Sequence, residues 1–531
     1  MNRLDRVIGF FAPERALRRT QARAQLAQAT RFYDAGQPTR ATAGWRRPLT
    51  SARSETYAAL PYVRASSHDV ARNNPHAAKI IADLAKDCIG TGIVPRADTG
   101  NKRLNKRVDA VAKEFFASMD ADGVTQNYAG YQLLAARALF EGGEAVSRRL
   151  VRPMSLGLPL PLQFALMEGE FIDNQLNTVL PGGNRVVQGV EFSAATRVRE
   201  AYWMFAEHPG DTYMAATGAA FERLRVPAAD VRVMMEPQRP GQIRGMPWIT
   251  PILVRSKLLD DYEDAERQRK RIEASLTAVV KGSSQIGDAS DGQGPSLFPT
   301  MTDANGDLIE VIEPGLVAYT RDSTGIEMMK PAEAAGFPAY KRSELQSIAA
   351  GGRSTYELAS GDLSQTSFSS IQFGTLSYRG MQDVVRATIV VPHLEWIWRC
   401  MIDMAIAVGR LPDGCPYGVK HHCPPWLPID PQKQADADKT DMRTGAKSLY
   451  EIVTARGKDF EEHVAEIAAS NKLLDRYGLV LDSDPRRTDG RGVNQADASK
   501  TDGSDEPPKP PARDGDEPAG GADADGASTP A

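Results

Sequence analysis

The sequence predicts an α+β fold that carries one long polar helix outside its core, and three observations predict it. Apolar residues recur at helical spacing over 77–88, 105–118 and 128–140. Residues 145–240 then change to short apolar runs separated by Gly, Pro and Asn, which is strand-and-turn chemistry. Finally, Gln238–Arg271 reads QRPGQIRGMPW and then ITPILVRSKLLDDYEDAERQRKR, a Pro/Gly-rich loop opening into a heavily charged helix. After Ile252, Leu253, Leu258 and Leu259 its apolar content falls away. Such a helix has too little apolar surface for an ordinary core, so it is either solvated or packed against copies of itself.

In chain order, residues 1–49 form a basic arm, with ten arginines against Asp5, Glu14 and Asp34. A solvated arm is the plain reading, and contact with an acidic partner or phosphate is the sharper one. Residues 50–249 make the first α+β region. Within it, AAKIIADLAKDC (77–88) is amphipathic, follows the Asn73-Asn74-Pro75 break, and stops at Gly90 and Gly92. Trp248 is the bulky anchor that ends the region. Residues 250–281 predict the charged helix, with Thr250 as N-cap and Pro251 at the first helical position. Acid-first pairs sit four apart, Glu263 with Arg267 and Glu266 with Lys270, and Arg271 continues the basic run.

Residues 282–331 return to Gly, Ser and Asp between short apolar runs (308–312 and 316–319), a small β-rich insertion. The segment 332–352 holds a second helix over Tyr340–Ala350, closed at Gly351-Gly352. Two helices flanking a compact insertion suggest a stalk with a tip. Residues 353–431 contain the loop SGDLSQTSFSS (360–370) and an apolar helical region, 371–408, interrupted at Pro392. Residues 432–478 are helical and polar. Residues 479–531 are rich in Pro, Gly, Ala and Asp with little to bury, which predicts a disordered acidic tail.

With 41% hydrophobic residues in 531, the chain can build real cores. A net charge of -4 argues against gripping nucleic acid over the whole surface. Cys88, Cys400, Cys415 and Cys423 form no CxxC pair and suggest no disulfide framework, which fits a reducing compartment. The first residues make a poor signal peptide, and no apolar run approaches the eighteen residues of a membrane span, so a soluble protein without membrane partners is expected.

Chemical motifs are scarce. Gly445-Ala446-Lys447-Ser448 lacks the Gly-Lys pair of a phosphate loop, and neither GxSxG nor HExxH occurs. Cys415, His421, His422 and Cys423 offer zinc-type ligands, but adjacent ligands seldom converge on one ion, so a structured loop is the preferred reading. Glu141, Glu144, Glu168 and Glu170 lie beside glycines without sugar-stacking aromatics, which favours turns and ion pairs over a carboxylate pair for glycoside chemistry. No catalytic residue, metal or cofactor is expected.

A series of short motifs appears in order: Arg64 with RNNP (72–75), GTG (90–92), EGGE (141–144), YW and HPGD (202–211), and RPGQIRGMPW (239–248). It continues with the acidic helix 260–266, EPG (313–315), GDLS and SFSS (361–370), DPQK (430–433) and GKD (457–459). In this order, over roughly 50–475, the chain resembles the lambda-type portal proteins of tailed bacteriophages and their prophages. Phe368 stands where that family often has Tyr, so a hydroxyl contact there is not expected.

The resemblance implies a ring of twelve subunits at one procapsid vertex around an axial DNA channel, with wing, stem, clip and crown regions. By position, 50–249 would be the wing, 250–281 and 332–352 the stem, 282–331 the clip, and 432–478 the crown. The segment 353–431 would hold the channel loop and a long wing helix. Implied partners are the terminase large subunit, major capsid and scaffold proteins, head-completion and tail connector proteins, and double-stranded DNA. The implied location is the virion, with assembly in the host cytoplasm. Glu263, Glu266, Arg267, Lys270 and Arg271 would make ring contacts. The competing readings are a head scaffold or connector adaptor without a conduit, and a DNA-processing enzyme.

The loop implied to face DNA carries Asp362, Ser364, Gln365, Thr366, Ser367 and Ser369, with no Lys or Arg. Small polar groups make weak contacts, whereas cations would grip phosphates with strong salt dependence. A plain connecting turn, with Ser369 capping the next helix, is compatible with the same residues. Gln365→Arg combined with Thr366→Arg should leave assembly intact and slow packaging, most at low salt. A single-motor packaging assay checks this, and unchanged low-salt rates would remove the loop from the channel wall.

Overall fold

The computed structural model describes residues 49–125, 127–211, 222–281, 300–302, 308–310, 316–320, 325–327, 336–364, 367–458, 460–479 and 481, with backbone alone over 272–327 and at Phe368. The basic arm to residue 48, the tail from 482, and most of 282–331 lie outside the described residues. The chain divides into two compact units, Met1–Ile429 and Asp430–Ala531.

The first unit opens with α1 (Ala52–Asn73) and α2 (Pro75–Ile89). Asn74 serves both. Its backbone N–H donates to Val70 O at the end of α1, and its side chain accepts from Ala77 N at 2.8 Å to cap α2. Pro75, at the first position of α2, costs that helix no hydrogen bond. Strand β1 (Val94–Ala97), α3 (Lys102–Phe116) and α4 (Tyr128–Gly142) follow. Gly143 closes α4 at φ +87°, where a Cβ would also collide with the Met246–Pro247 backbone.

Next come β2 (Glu144–Val151), β3 (Leu162–Glu168), β4 (Thr178–Val179), β5 (Arg185–Val187), β6 (Val190–Phe192), β7 (Arg199–Phe205), β8 (Arg223–Pro227) and β9 (Val231–Met235). Strand β2 pairs antiparallel with both β3 and β9, while β4 to β8 form a five-stranded antiparallel meander. The large core joins the helices to β2 and β3 through Ile80, Leu84, Phe115, Leu139, Phe140 and Phe164. A smaller one lies on the meander around Val190, Tyr202, Met204 and Val226. This is the mixed helix-and-strand fold the sequence predicts.

After the meander runs α5 (Leu253–Ser275), entered through a short 3-10 turn at Thr250–Ile252. Thr250 does not cap it: its hydroxyl donates to Pro247 O at 2.6 Å, closing the preceding turn instead. The expected helix to residue 281 stops at Ser275, and β10 (Leu276–Lys281) continues the chain. Thr277, Val279 and Val280 favour an extended backbone once a partner strand is available. Backbone strands β11 (Thr300–Thr302), β12 (Leu308–Glu310), β13 (Leu316–Thr320) and β14 (Gly325–Glu327) complete the insertion. β10 lies between parallel β13 and antiparallel β14.

The chain returns through α6 (Phe337–Gly351), α7 (Tyr356–Ser360), α8 (Phe368–Val385) and α9 (Val391–Ala407) to β15 (Val419–His422), which pairs with β1. The interruption expected at Pro392 is a π-helical turn at Arg386–Val390, and α9 continues directly from it. The wider turn accommodates a proline that has no N–H to give. Arg386, at its start, donates to Cys88 O at 2.7 Å and Asp87 O at 2.8 Å, the negative end of α2. Its guanidinium lies 4.4 Å from the centre of the Trp426 ring. The second unit is helical: α10 (Pro431–Thr444), α11 (Leu449–Ala455) and α12 (Phe460–Tyr477). No described helix is long and apolar enough to cross a membrane.

In α9, His393 is buried with its Nε2 3.0 Å from Ser147 Oγ, which in turn meets Tyr131 Oη at 2.7 Å. Burial, aided by the charge of Arg232, drives this imidazole from 6.5 down to about 3. The unfolded chain therefore binds the extra proton first, so stability is intact above pH 6.5 and falls as pH drops toward about 3. Replacing His393→Gln should flatten the pH dependence of urea unfolding in that window. An unchanged slope would contradict this account.

Candidate functional site

Three charged side chains from distant segments meet in the first unit. Arg64, on the buried face of α1, donates from Nη2 to Glu144 Oε1 at 2.7 Å and from Nε to Gly142 O at 2.7 Å. Arg244 reaches the same oxygen from the other side, at 2.8 Å from Nε and 2.5 Å from Nη2. It also donates to the carbonyls of Gly169, Ile172 and Gln188. Glu144 Oε2 accepts from Gly245 N at 3.2 Å. The three side chains are only 4%, 0% and 1% exposed for Arg64, Glu144 and Arg244. Burial alone would raise the Glu144 carboxyl, but the charges of Arg244 and Arg64 outweigh it and hold it below 4.5. At Gly169 a Cβ would come within 2.5 Å of Glu144 Cγ and 2.8 Å of Arg64 Nη2, so only glycine fits there.

Beside this cluster, His68 Nδ1 lies 2.8 Å from Glu141 Oε1 and Nε2 lies 3.3 Å from Glu170 Oε1. The hydrogen bonds to Glu141 and then Glu170 raise this imidazole to about 9. Among the described residues, His68, Glu168 and Glu170 are a group whose ligand-type atoms all fall within 4.8 Å of one another. The glutamates were read from sequence as turn and ion-pair residues, and ion pairs they are; Arg64, His68 and Arg244 were not singled out. Arg64 carried a readable signal, since it shares one helical face with the buried Leu60, Ser67 and Ala71. The zinc-type residues do not gather: His421 and His422 sit in β15 opposite Pro95 and Val94.

Trp248 is the anchor its sequence context suggests. It is buried edge-to-face on Phe140 at 4.6 Å, with the Arg353 guanidinium 4.0 Å over its other side. Helices α5 and α6 form a hairpin. Glu263 pairs with Lys341 at 2.9 Å and Arg255 with Glu344 at 3.3 Å, while Tyr262 meets Phe337 and Tyr340. The expected four-apart partners therefore change. Glu263 turns across the hairpin, Arg267 takes Asp264 at 2.9 Å, and Glu266 takes Arg269 at 2.6 Å. The partially buried hairpin face competes better for Glu263 than an exposed neighbour does. Lys270 and Arg271 are exposed.

In the loop after α7, Asp362 accepts from Ser364 N at 3.0 Å, Ser364 Oγ at 2.6 Å and Tyr356 Oη at 3.0 Å. Ser364 first and then Tyr356 hold its carboxyl down at about 2. Arg342 of α6 lies 5.3 Å from the Tyr356 ring centre, which links the loop to the hairpin. Ser367, and not Ser369, caps α8, accepting from Ser370 N at 3.2 Å. Ser369 is exposed in the first turn. The extended backbone of Ser367 suits a cap, whereas Ser369 is already helical. Gln365 and Thr366 lie outside the described residues.

A family model described as phage portal protein, lambda family, matches residues 38–386. A probable portal protein of Halomonas phage phiHAP-1 is 27% identical over 325 residues, covering 59% of this chain. The chain spans 60% of that relative's length. Two solved structures align at low similarity. A neck chain of an empty gene transfer agent particle has 12% identity and TM-score 0.38, covering 79% of this chain and 97% of its own. A virion chain of a native gene transfer agent particle has 11% identity and TM-score 0.41, covering 77% and 99%.

Removing the carboxylate from the buried cluster leaves two arginines facing each other without a counter-charge. Glu144→Gln should therefore destabilise the first unit by about 3–5 kcal/mol, read from urea unfolding at pH 7. A loss below about 1 kcal/mol, the size of an exposed pair, would show that the cluster does not hold this region.

Proposed function

Because the chain belongs to the lambda family of phage portal proteins, we propose that it is one subunit of a twelve-membered ring at a capsid vertex. The ring is the channel for DNA packaging and ejection and the docking platform for the terminase large subunit. Head-completion and tail connector proteins replace the motor later, and capsid and scaffold proteins surround the ring during assembly. In this reading 50–249 is the wing, α5 and α6 are the stem, and the strands within 276–331 form the clip. The loop 360–370 faces the DNA and 432–478 is the crown. The work is mechanical and needs no catalytic residue.

One observation carries the reading. The α5–α6 hairpin satisfies one face internally through Glu263–Lys341, Arg255–Glu344 and the Tyr262 aromatic group. The other face of α5 presents Val254 and Leu258, one helical turn apart, at 73% and 63% exposure. Apolar residues in line beside charges are what a neighbouring copy would cover. A rotated copy placed there makes a heterologous contact, which closes into a ring.

Electron microscopy of the purified chain should show rings with a central hole. Val254→Asp with Leu258→Asp should give a folded protein, judged by circular dichroism, that is mostly monomeric by sedimentation. Rings of normal yield from that variant would reassign the interface, and a wild-type protein monomeric at every concentration would end the reading.

A further inference from the structure

We propose that His68, Glu168 and Glu170 bind one divalent transition-metal cation of the zinc class, at a site separate from the ring and channel surfaces. His68 comes from α1, Glu168 ends β3, and Glu170 lies in the 3-10 turn Gly169–Phe171. Their ligand-type atoms all lie within 4.8 Å of one another. Of the two His68 contacts, the Glu141 contact is the shorter, 2.8 Å against 3.3 Å, so the imidazole proton belongs on Nδ1. The Nε2 lone pair then faces the lone pairs of Glu170 Oε1, an arrangement that calls for a cation between them. With metal–ligand bonds of about 2.0–2.1 Å, adjacent ligands of a tetrahedral site sit about 3.3–3.4 Å apart. The 3.3 Å spacing is already that of two ligands on one ion. Independently, Glu170 Oε2 is a buried atom with no hydrogen-bond partner.

The surroundings complete the case. Metal-bound imidazoles and carboxylates are oriented by partners on their far sides. Glu141 does this for His68, and Arg64 Nε lies 3.5 Å from Glu170. His208 Nδ1 accepts from Gly210 N at 3.0 Å, so its Nε2 carries the hydrogen and, 3.3 Å from Glu168 Oε2, supports that carboxylate without ligating. Three protein ligands leave a fourth position for water. One imidazole and two carboxylates suit zinc, and Glu168, half exposed at 52%, gives the ion a way in. The competing occupant is a second proton on His68, which would make the group a plain ion-pair cluster.

The test uses the full chain, stripped with a chelator and titrated with zinc chloride by calorimetry at pH 7. One ion per chain is expected, with at least tenfold weaker binding in Glu168→Gln and in Glu170→Gln. A loss of about tenfold is expected in His208→Ala, as for a supporting partner. X-ray absorption of the zinc-loaded protein should show only nitrogen and oxygen ligands. Glu168→Gln is half exposed, and an unchanged metal-free melting temperature verifies that it folds. No zinc uptake by the wild type, unchanged uptake by Glu168→Gln, or sulfur in the coordination shell would overturn the site. Ring formation is read separately by microscopy, so either idea can fail alone.

Discussion

The first unit depends on the neutralisation of Glu144 by two arginines. A buried carboxylate at 0% exposure is tolerable only because Arg64 and Arg244 supply charge and Gly245 N and neighbouring carbonyls supply the remaining hydrogen bonds. That requirement sets geometry well beyond the three side chains. It fixes α1 against the start of β2, brings the loop before Trp248 beneath both, and forbids a side chain at Gly169. The meander is tied in as well, because Arg244 takes the carbonyls of Ile172 and Gln188. Two cores that share little apolar contact are thereby held by one ionic node.

Much of the architecture is legible in the sequence, and the reasons for the exceptions are physical. The segment 77–88 announces α2 through its spacing and its Asn-Pro start, and the observed Pro75–Ile89 adds only the capped ends. Nothing local stops the charged helix before residue 281, since no Gly or Pro occurs between Arg271 and Lys281. Strand β10 exists because β13, some forty residues on, pairs with it. Pro392 flags a defect, but its form as a π turn depends on Arg386 reaching carbonyls about three hundred residues earlier in the chain.

The candidate site divides in the same way. Trp248 and the polar loop around Asp362 are visible as residue types in a setting. The motifs holding Arg64, Glu144 and Arg244 are visible as strings, yet their meeting across 80 and 100 residues is not. His68 gives no sign at all, because one histidine on a helix has no partner in sequence. The α5 pairings shift for a simpler reason: a helix read alone offers Glu263 only its own face, and the hairpin offers Lys341.

The 100-residue separation of Glu144 from Arg244 also has a consequence in time. At synthesis rates of roughly 5–20 residues per second, Arg244 follows Glu144 out of the ribosome by about 5–20 s. Throughout that interval the carboxylate has Arg64 alone, and the loop that ends at Trp248 does not yet exist to cover Phe140. Collapse of a small core takes far less than a second. The nascent wing therefore waits, half closed and with apolar surface open to other chains, for its second arginine. Chaperone dependence during translation is a property written into the order of these residues.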